Sequence, residues 1–250
     1  MEVFVLGTGV GIPNLTRSYP GIFVKYDKGT ALIDPGPGSL RQLLKLGFTY
    51  QDVDSIIITH FHPDHCLDLV SFLFACRYPV SPRKKAFSLI GPEGLGVFYD
   101  GLAEIFKDAV KVEGFALDLV ETMEGSFLPG GAKVKFKRVE HTRNSVGLRL
   151  ACPDGKTLAY SGDTGYCRSV VDLAFGADLL IIESSFPEGV DVRTHLTPSQ
   201  ACRIARESSA KRVVLTHLYP MCEGQDTVSQ CKREYKGPVS VASDLMRIKI

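Results

Sequence analysis

The sequence predicts an α/β (α+β) fold in a single domain that spans residues 1–250. Short runs rich in Ile, Leu and Val recur along the whole chain, and runs of this length are typical of buried strands. Stretches with helical character separate several of these runs. In both halves of the chain, strand-like runs end in histidine or aspartate. A length of 250 residues and a hydrophobic content of 44% permit a large core in one domain.

Five strands and three helices are predicted in the first 110 residues. The strands are Glu2–Leu6, Gly21–Tyr26, Thr30–Asp34, Asp54–Thr59 and Phe87–Ile90, and the helices are Ser39–Leu46, a helix from Asp68 that ends near Tyr78, and Val97–Phe106. Asp27-Lys28-Gly29 is typical of a hairpin turn. Ser39 is the expected N-cap of the first helix, and Gly47 is its expected C-terminal stop.

The segment Gly7-Thr8-Gly9-Val10-Gly11 follows the first strand. It lacks the spacing of a dinucleotide-binding loop, because its third glycine comes two residues after the second and Pro13 prevents a helix from starting there. We therefore predict a glycine-rich turn. A close approach of its backbone to the functional site is an equally open alternative.

Eight strands and one helix are predicted in the remainder of the chain. The strands are Phe115–Val120, Lys133–Lys137, Val146–Ala151, Thr157–Ser161, Ala177–Glu183, Arg212–His217, Val239–Ser243 and Met246–Ile250. The run Lys133–Lys137 alternates strictly between polar and apolar residues, and Cys152–Lys156 is a hairpin signal. Thr197, Pro198 and Gln200 supply an N-cap, a first-turn proline and a capping box for a helix to about Ser209.

Composition limits the choice of partners and compartment. The formal net charge is +1 and shows no bias toward nucleic acid or membrane, although a metal site would supply local charge for a small anionic substrate. No apolar run approaches the roughly 20 residues of a membrane span, and the N-terminus lacks the basic start of a signal peptide, so we expect a cytoplasmic protein. The seven scattered cysteines are predicted to be reduced thiols. The basic loop Arg83-Lys84-Lys85 is expected to be a solvated surface turn, with a phosphate-facing patch as the alternative.

The stretch Thr59-His60-Phe61-His62-Pro63-Asp64-His65 carries the strongest chemical signal. It holds three of the six histidines of the chain and follows directly after an apolar, β-branched run. A loop at the end of a rigid strand can turn several side chains toward one point. Because imidazole and carboxylate groups together suit zinc and its first-row neighbours, we predict a metal site on this loop.

Three further candidate ligands follow predicted strands. They are His141, Asp163 in Ser161-Gly162-Asp163-Thr164, and His217. Each alone would be weak evidence. Two metal ions about 3.5–4 Å apart require several ligands and usually a bridging carboxylate, and the chain offers five histidines and two aspartates at strand ends.

These motifs together resemble the metallo-β-lactamase fold hydrolases, over nearly the whole chain. The resemblance implies a four-layer αβ/βα sandwich, in which two mixed β-sheets are flanked by helices and the ligands gather at one edge. It also implies that His60, His62 and His141 bind one divalent metal ion, that Asp64, His65 and His217 bind a second, and that Asp163 bridges them. The metals would be zinc, with manganese or iron as alternatives, and a shared hydroxide would be the nucleophile.

Within this family the chain resembles the ribonuclease Z and phosphodiesterase branch. The features that carry this resemblance are His195-Leu196-Thr197 after Glu183, the opening Leu6-Gly7-Thr8-Gly9 and the turn Gly91-Pro92. The resemblance implies that His195 binds the phosphate or protonates the leaving oxygen, and Glu183 could orient it. Asp64, His195 and Glu183 are thus the expected catalytic residues. For Asn144 and Ser145 two roles stay open, namely a contact with substrate oxygens and the stabilisation of a turn.

The expected substrate is a small or cyclic phosphodiester. In tRNA-processing ribonuclease Z a long arm lies between the third metal histidine and the bridging aspartate, whereas here one predicted hairpin fills the interval from His141 to Asp163. A tRNA 3′-processing endonuclease is the less favoured alternative, and a thioester or lactam hydrolase similar to glyoxalase II is another. A non-enzymatic metal or RNA binder is disfavoured because no ligand is missing. The branch further implies a homodimer.

Overall fold

The chain forms two seven-stranded β-sheets, each with helices on its outer face. The structure is a computed structural model that describes residues 1–190 and 192–250. In chain order the strands are β1 (Glu2–Gly7), β2 (Gly21–Tyr26), β3 (Gly29–Ile33), β4 (Ser55–Ile57), β5 (Phe87–Gly91), β6 (Leu117–Glu121), β7 (Gly125–Phe127), β8 (Lys133–Arg138), β9 (Val146–Ala151), β10 (Thr157–Tyr160), β11 (Leu179–Glu183), β12 (Val213–Thr216), β13 (Val239–Val241) and β14 (Met246–Lys249).

The α-helices are short and lie between the strands. They are α1 (Ser39–Lys45), α2 (Pro63–Cys66), α3 (Asp68–Cys76), α4 (Leu95–Phe106), α5 (Arg168–Ala174), α6 (Pro198–Glu207) and α7 (Thr227–Glu234). Four single 3₁₀ turns cover Tyr50–Asp52, Lys107–Ala109, Pro129–Gly131 and Pro220–Cys222. Among the described residues, no helix has the length and apolarity required to cross a bilayer.

Both sheets are mixed, and each has one parallel half. The first sheet has the order β14-β1-β2-β3-β4-β5-β6, and the second has the order β13-β12-β11-β10-β9-β8-β7. Strands β3 to β6 pair in parallel in the first sheet, and β10 to β13 do so in the second. The carboxyl ends of parallel strands meet at one edge of a sheet, where open α/β folds place their sites.

Alternation along the strands divides the interior into three apolar layers. In β1, Val3 and Val5 belong to the core between the sheets, whereas Phe4 and Leu6 belong to the core under α1, α3 and α4. A third core lies between the second sheet and α5, α6 and α7. Successive side chains of a strand point to opposite faces of the sheet, so one strand contributes side chains to two of these apolar layers. The predicted four-layer sandwich is confirmed.

Several local predictions differ from the structure. Gly38, with φ of 90°, occupies the N-cap position of α1, and Ser39 is its first residue. The prediction that Ser39 caps this helix is wrong because the preceding backbone is left-handed, which favours glycine. Asp64 and His65 were expected on a loop but lie in the short helix α2, which starts at Pro63. The prediction also lacked α5, α7 and β7.

In the basic loop Lys84 and Lys85 are exposed, as expected of a solvated turn, but the prediction is wrong for Arg83. This side chain is fully buried, and its guanidinium donates to the carbonyl oxygens of Lys85 (2.6 Å), Tyr50 (2.6 Å), Val53 (2.7 Å) and Ala86 (3.1 Å). Arg83 therefore holds the start of β5 against the segment before β4.

The prediction that all cysteines are reduced is wrong for one pair. Cys202 of α6 and Cys231 of α7 form a disulfide, with Cα atoms 5.2 Å apart. The five other cysteines are free, as predicted. Sequence spacing did not indicate the pair because its members lie 29 residues apart, on two helices that the fold packs together.

Candidate metal centre

The ligand-type side chains converge where strands of both sheets end. His60 follows β4, Asp163 follows β10, and His217 follows β12. His141 follows β8, which runs in the same direction as β10 because both are antiparallel to β9. A hydrogen bond from the Val146 amide to the Thr59 carbonyl oxygen (3.0 Å) joins the two sheets at this edge.

A first group of ligand atoms comes from His60, His62, His141 and Asp163, all within 4.8 Å of one another. His62 Nδ1 lies 3.1 Å from His141 Nε2. Asp163 Oδ2 lies 3.8 Å from His60 Nε2 and 3.9 Å from His141 Nε2. His60 and Asp163 are buried, but His62 is exposed, so this group is open to solvent on one side.

A second group comes from Asp64, His65 and His217. Asp64 Oδ2 lies 3.6 Å from His65 Nε2 and 3.7 Å from His217 Nε2, and the two ring nitrogens are 3.3 Å apart. The other carboxylate oxygen of Asp163, Oδ1, lies 3.3 Å from each of these nitrogens. Asp163 thus presents one oxygen to each group.

The donor set fits divalent metal ions. His60 Nε2 and Asp163 Oδ1 are buried without a hydrogen-bond partner among the described residues, and leaving such atoms unsatisfied is costly. The imidazole nitrogens of His62 and His141 lie 3.1 Å apart, and those of His65 and His217 lie 3.3 Å apart. Within each pair only one nitrogen can donate a proton to the other. Cations placed among these atoms would satisfy all of them.

Hydrogen bonds on the outer side orient the rings. His65 Nδ1 donates to Asp34 Oδ2 (2.9 Å), and His141 Nδ1 donates to the Thr194 carbonyl oxygen (3.2 Å). His217 Nδ1 donates to Ser185 Oγ (2.9 Å), which donates in turn to Glu183 Oε2 (2.5 Å). In each of these rings the proton is held away from the centre, which leaves Nε2 free to bind a metal.

Asp34 and Ser185 are site residues that the sequence reasoning missed. Asp34 is completely buried and also accepts hydrogen bonds from the Thr59 amide and hydroxyl, both at 2.7 Å. The available signal for Asp34 was its position at the end of a strand that neighbours β4. Ser185 lay two residues after Glu183, which was singled out.

Electrostatics favour the protonation states that metal ligands need at three of the candidate ligands. Burial and the nearby His65 lower the pKa of His60 well below its ordinary value, and burial lowers that of His141. For Asp163 burial acts in the opposite direction, but His217 and His65 hold the pKa of its carboxyl well below the usual range. A neutral imidazole and an ionised carboxylate are the forms that bind metals. At His65 burial opposes the charged ring, but Asp163 and Asp34 raise the pKa of this imidazole well above its ordinary value.

His195 lies at the rim of the centre. Its ring centroid is 5.0 Å from that of His141, and one of its nitrogens lies within 4.8 Å of ligand atoms of Asp163 and His217. His195 Nδ1 donates to Glu183 Oε1 (3.0 Å). Burial opposes the charged ring, yet the hydrogen bond and charge of Glu183 raise the pKa of His195 above its ordinary value.

Glu183 is buried at the end of β11 and accepts several hydrogen bonds. Besides His195 and Ser185, it accepts hydrogen bonds from the amides of Thr164 (2.6 Å) and Leu196 (3.0 Å). Thr164 directly follows Asp163, so the Glu183 carboxylate fixes the turn that carries Asp163. The structure therefore brings Glu183 into contact with His195.

The structure also shows the contacts of Asn144, Ser145 and the glycine-rich turn. Ser145 Oγ hydrogen-bonds Thr142 within one turn. Asn144 Nδ2 donates to the Glu93 carbonyl oxygen (2.7 Å) and so joins that turn to the segment after β5. The glycine-rich turn does approach the centre. A Cβ atom at Gly11 would lie 3.5 Å from Asp64 Oδ2.

Comparison with known proteins agrees with this architecture. The profile of the beta-lactamase superfamily domain matches residues 30–218. A ribonuclease Z of Salinispora arenicola is 30% identical over 298 aligned positions, which cover 100% of this chain and 96% of that protein. The metallo-beta-lactamase fold protein YhfI of Bacillus subtilis superposes with a TM-score of 0.86 at 21% identity, covering 99% of this chain and 98% of that chain. The short form of human tRNase Z superposes with a TM-score of 0.79 at 26% identity, covering 100% and 99%.

The resemblance predicted from the motifs, including the ribonuclease Z and phosphodiesterase branch, is confirmed by these matches. The matched profile covers most of the chain, including β4, β10 and β12, which precede candidate ligands. The chain belongs to the beta-lactamase superfamily and is a metal-dependent hydrolase with the metallo-β-lactamase fold.

Proposed function

We propose that the protein is a dinuclear metal-dependent phosphodiesterase that acts on a small or cyclic phosphodiester. The observation that carries this proposal is the position of Asp163, whose two oxygens face two separate groups of ligand atoms. One carboxylate shared in this way is typical of paired metal sites.

The two groups support one set of ligands for each metal. His60, His62 and His141 would hold the first ion, and Asp64, His65 and His217 the second. Five imidazoles with two carboxylates favour zinc over the harder cations. When bound, such a pair supplies the Lewis acid that polarises a phosphoryl oxygen and lowers the pKa of an attacking water.

His195 would bind the phosphate or protonate the leaving oxygen. Its side chain is 11% exposed, next to the solvent-open side of the centre. Its hydrogen bond to the buried carboxylate of Glu183 holds the ring in one orientation and favours its charged form. A positioned general acid of this kind contributes about 10²–10⁴-fold to a rate. Glu183 is a positioning residue, because it acts through His195.

The interval between His141 and Asp163 supports a small substrate. The hairpin of β9 and β10 fills it, so no arm for gripping a large RNA extends from this place. The Salinispora ribonuclease Z alignment spreads the 250 residues of this chain over 298 positions, so that protein has segments that this chain lacks. A net charge of +1 also offers little attraction for a large polyanion.

Turnover by the zinc- and manganese-loaded protein tests the proposal. The substrates should be a chromogenic phosphodiester, a nucleoside cyclic phosphate, a thioester and a lactam. His195→Ala should lower kcat at least a hundredfold while metal content stays constant. Arg193→Ala is the matched control, because that side chain is 86% exposed and only two residues away. Absence of turnover on every phosphodiester would refute the proposal.

The second candidate is tRNA 3′ processing, favoured by the 30% identity to a ribonuclease Z. Precursor tRNA belongs in the same panel. Specific cleavage at its 3′ end, with a kcat/KM above that for the small phosphodiesters, would replace the small-substrate proposal.

A further inference from the structure

A stacked pair of aromatic rings lies beside the metal centre and has no part in the chemistry described above. Phe186 comes three residues after Glu183, and Tyr219 comes two residues after His217. Strands β11 and β12 are parallel neighbours with Glu183 opposite Thr216, so the segments beyond their ends stay side by side. The two rings are 4.7 Å apart with an interplanar angle of 19°.

The backbone fixes this pair in place. The Tyr219 amide donates to the Ser185 carbonyl oxygen (3.3 Å), and the Phe186 amide donates to the Leu196 carbonyl oxygen (3.2 Å). The second bond ties Phe186 to the segment that carries His195. The pair is therefore held by the same strand ends that position the centre.

Both rings lie within reach of a substrate bound at the centre. The His195 ring centroid is 5.6 Å from that of Phe186 and 6.2 Å from that of Tyr219, and Tyr219 is 6.4 Å from His217. Both side chains are only half-buried, although Ser184, Ser185 and Leu218 beside them are buried. Neither ring belongs to any of the three apolar cores.

The Tyr219 hydroxyl gives the pair one polar group. Within residues 1–190 and 192–250 this hydroxyl makes no hydrogen bond. The pair thus offers an apolar surface with one polar edge beside His195 and His217, and aromatic side chains of this kind stack on nucleobases.

We propose that Phe186 and Tyr219 form a stacking surface for the base of a nucleotide whose phosphate lies beside His195. The inference deepens the proposed phosphodiesterase function and rests on it. The pair would then determine specificity, because a phosphodiester without a base would lose the stacking contact and keep the contacts of its phosphate.

Equilibrium binding tests the pair separately from turnover. Adenosine 5′-monophosphate and ribose 5-phosphate carry the same phosphate and sugar, and only the first has a base. Calorimetry on the zinc-loaded protein should show the nucleotide binding about ten- to a hundredfold more tightly. Tyr219→Leu should remove this preference and leave the affinity for ribose 5-phosphate unchanged, while Tyr219→Phe should keep it.

Further variants keep the test decisive. Phe186→Leu should reduce the preference in the same way, and it replaces Tyr219→Leu if that variant does not fold. Phe175→Leu is the control, since that ring is 67% exposed and lies with Arg149 away from the ligands. Equal binding of the two compounds to the unsubstituted protein, or a preference that survives both leucine variants, would overturn the inference. Loss of turnover with a retained base preference would instead count against the proposed function.

Discussion

Replacement of Asp34 by asparagine should weaken metal binding without disturbing the fold. The Asp34 carboxylate is completely buried and accepts three hydrogen bonds, from the Thr59 amide (2.7 Å), the Thr59 hydroxyl (2.7 Å) and His65 Nδ1 (2.9 Å). Asparagine has the same size, and it tolerates the left-handed backbone that Asp34 adopts, with φ of 48°.

The expected loss of metal affinity follows from the hydrogen bonds that the asparagine side chain can accept. If its oxygen keeps the bond to the Thr59 amide, its NH₂ group faces His65 Nδ1, where the carboxylate accepted a proton. The imidazole then favours the tautomer with its proton on Nε2, which is the atom that faces the centre. Loss of such an orienting partner typically costs 10- to 100-fold in metal affinity, or about 1.4–2.8 kcal/mol.

Competition for zinc with a chromogenic chelator measures this effect. Asp54→Asn is the matched control, because Asp54 is also buried and accepts a hydrogen bond from the Thr30 amide (3.0 Å), but it lies outside the centre. Thermal unfolding of the metal-free variants checks that both are folded. If Asp34→Asn binds zinc as tightly as the unsubstituted protein, the argument from ring orientation is refuted.

Three further outcomes are expected from other parts of the molecule. Arg83→Lys should lower the free energy of unfolding in urea by about 2–3 kcal/mol, because an ammonium cannot serve the four carbonyl oxygens that this buried guanidinium serves; an unchanged midpoint would contradict this. Gly36→Ala should destabilise the fold by about 1–3 kcal/mol, since its Cβ would lie 2.0 Å from the Asp64 carbonyl oxygen. Gly101→Ala in α4 is the matched control, because its Cβ would meet no atom within 4 Å, and it should stabilise the fold by about 0.5–1 kcal/mol. Under native conditions an aromatic disulfide reagent should label Cys167 first, because the four other free cysteines are buried; faster labelling elsewhere would show that the fold opens locally.

The ligand loop could be predicted because its signal is local. His60, His62, Asp64 and His65 lie within six residues, directly after an apolar strand, and a strand end is a rigid support. The more distant candidates were found because each also follows a strand, and parallel strands deliver their carboxyl ends to one edge. The four-layer sandwich, by contrast, was predicted from the family resemblance, because the periodicity of the sequence does not reveal how two sheets pack.

Arg83 and Asp34 show why other parts could not be predicted. A basic run in a Pro-containing loop usually faces solvent, but here four carbonyl oxygens from separate segments converge on one guanidinium. Asp34 ends a strand 31 residues before its partner His65. Both roles depend on contacts between distant segments, and neither leaves a pattern within one window of sequence.

Each sheet supplies one buried carboxylate that orients the centre from outside. In the first sheet Asp34 follows β3 and holds His65 directly, and it holds His60 through the Thr59 hydroxyl, which lies 3.0 Å from His60 Nδ1. In the second sheet Glu183 ends β11 and holds His195 directly and His217 through Ser185. Both carboxylates lie at the carboxyl end of a parallel strand and are completely buried. Ring orientation decides which nitrogen faces the centre. The two sheets must therefore keep their relative position for the candidate ligands to converge.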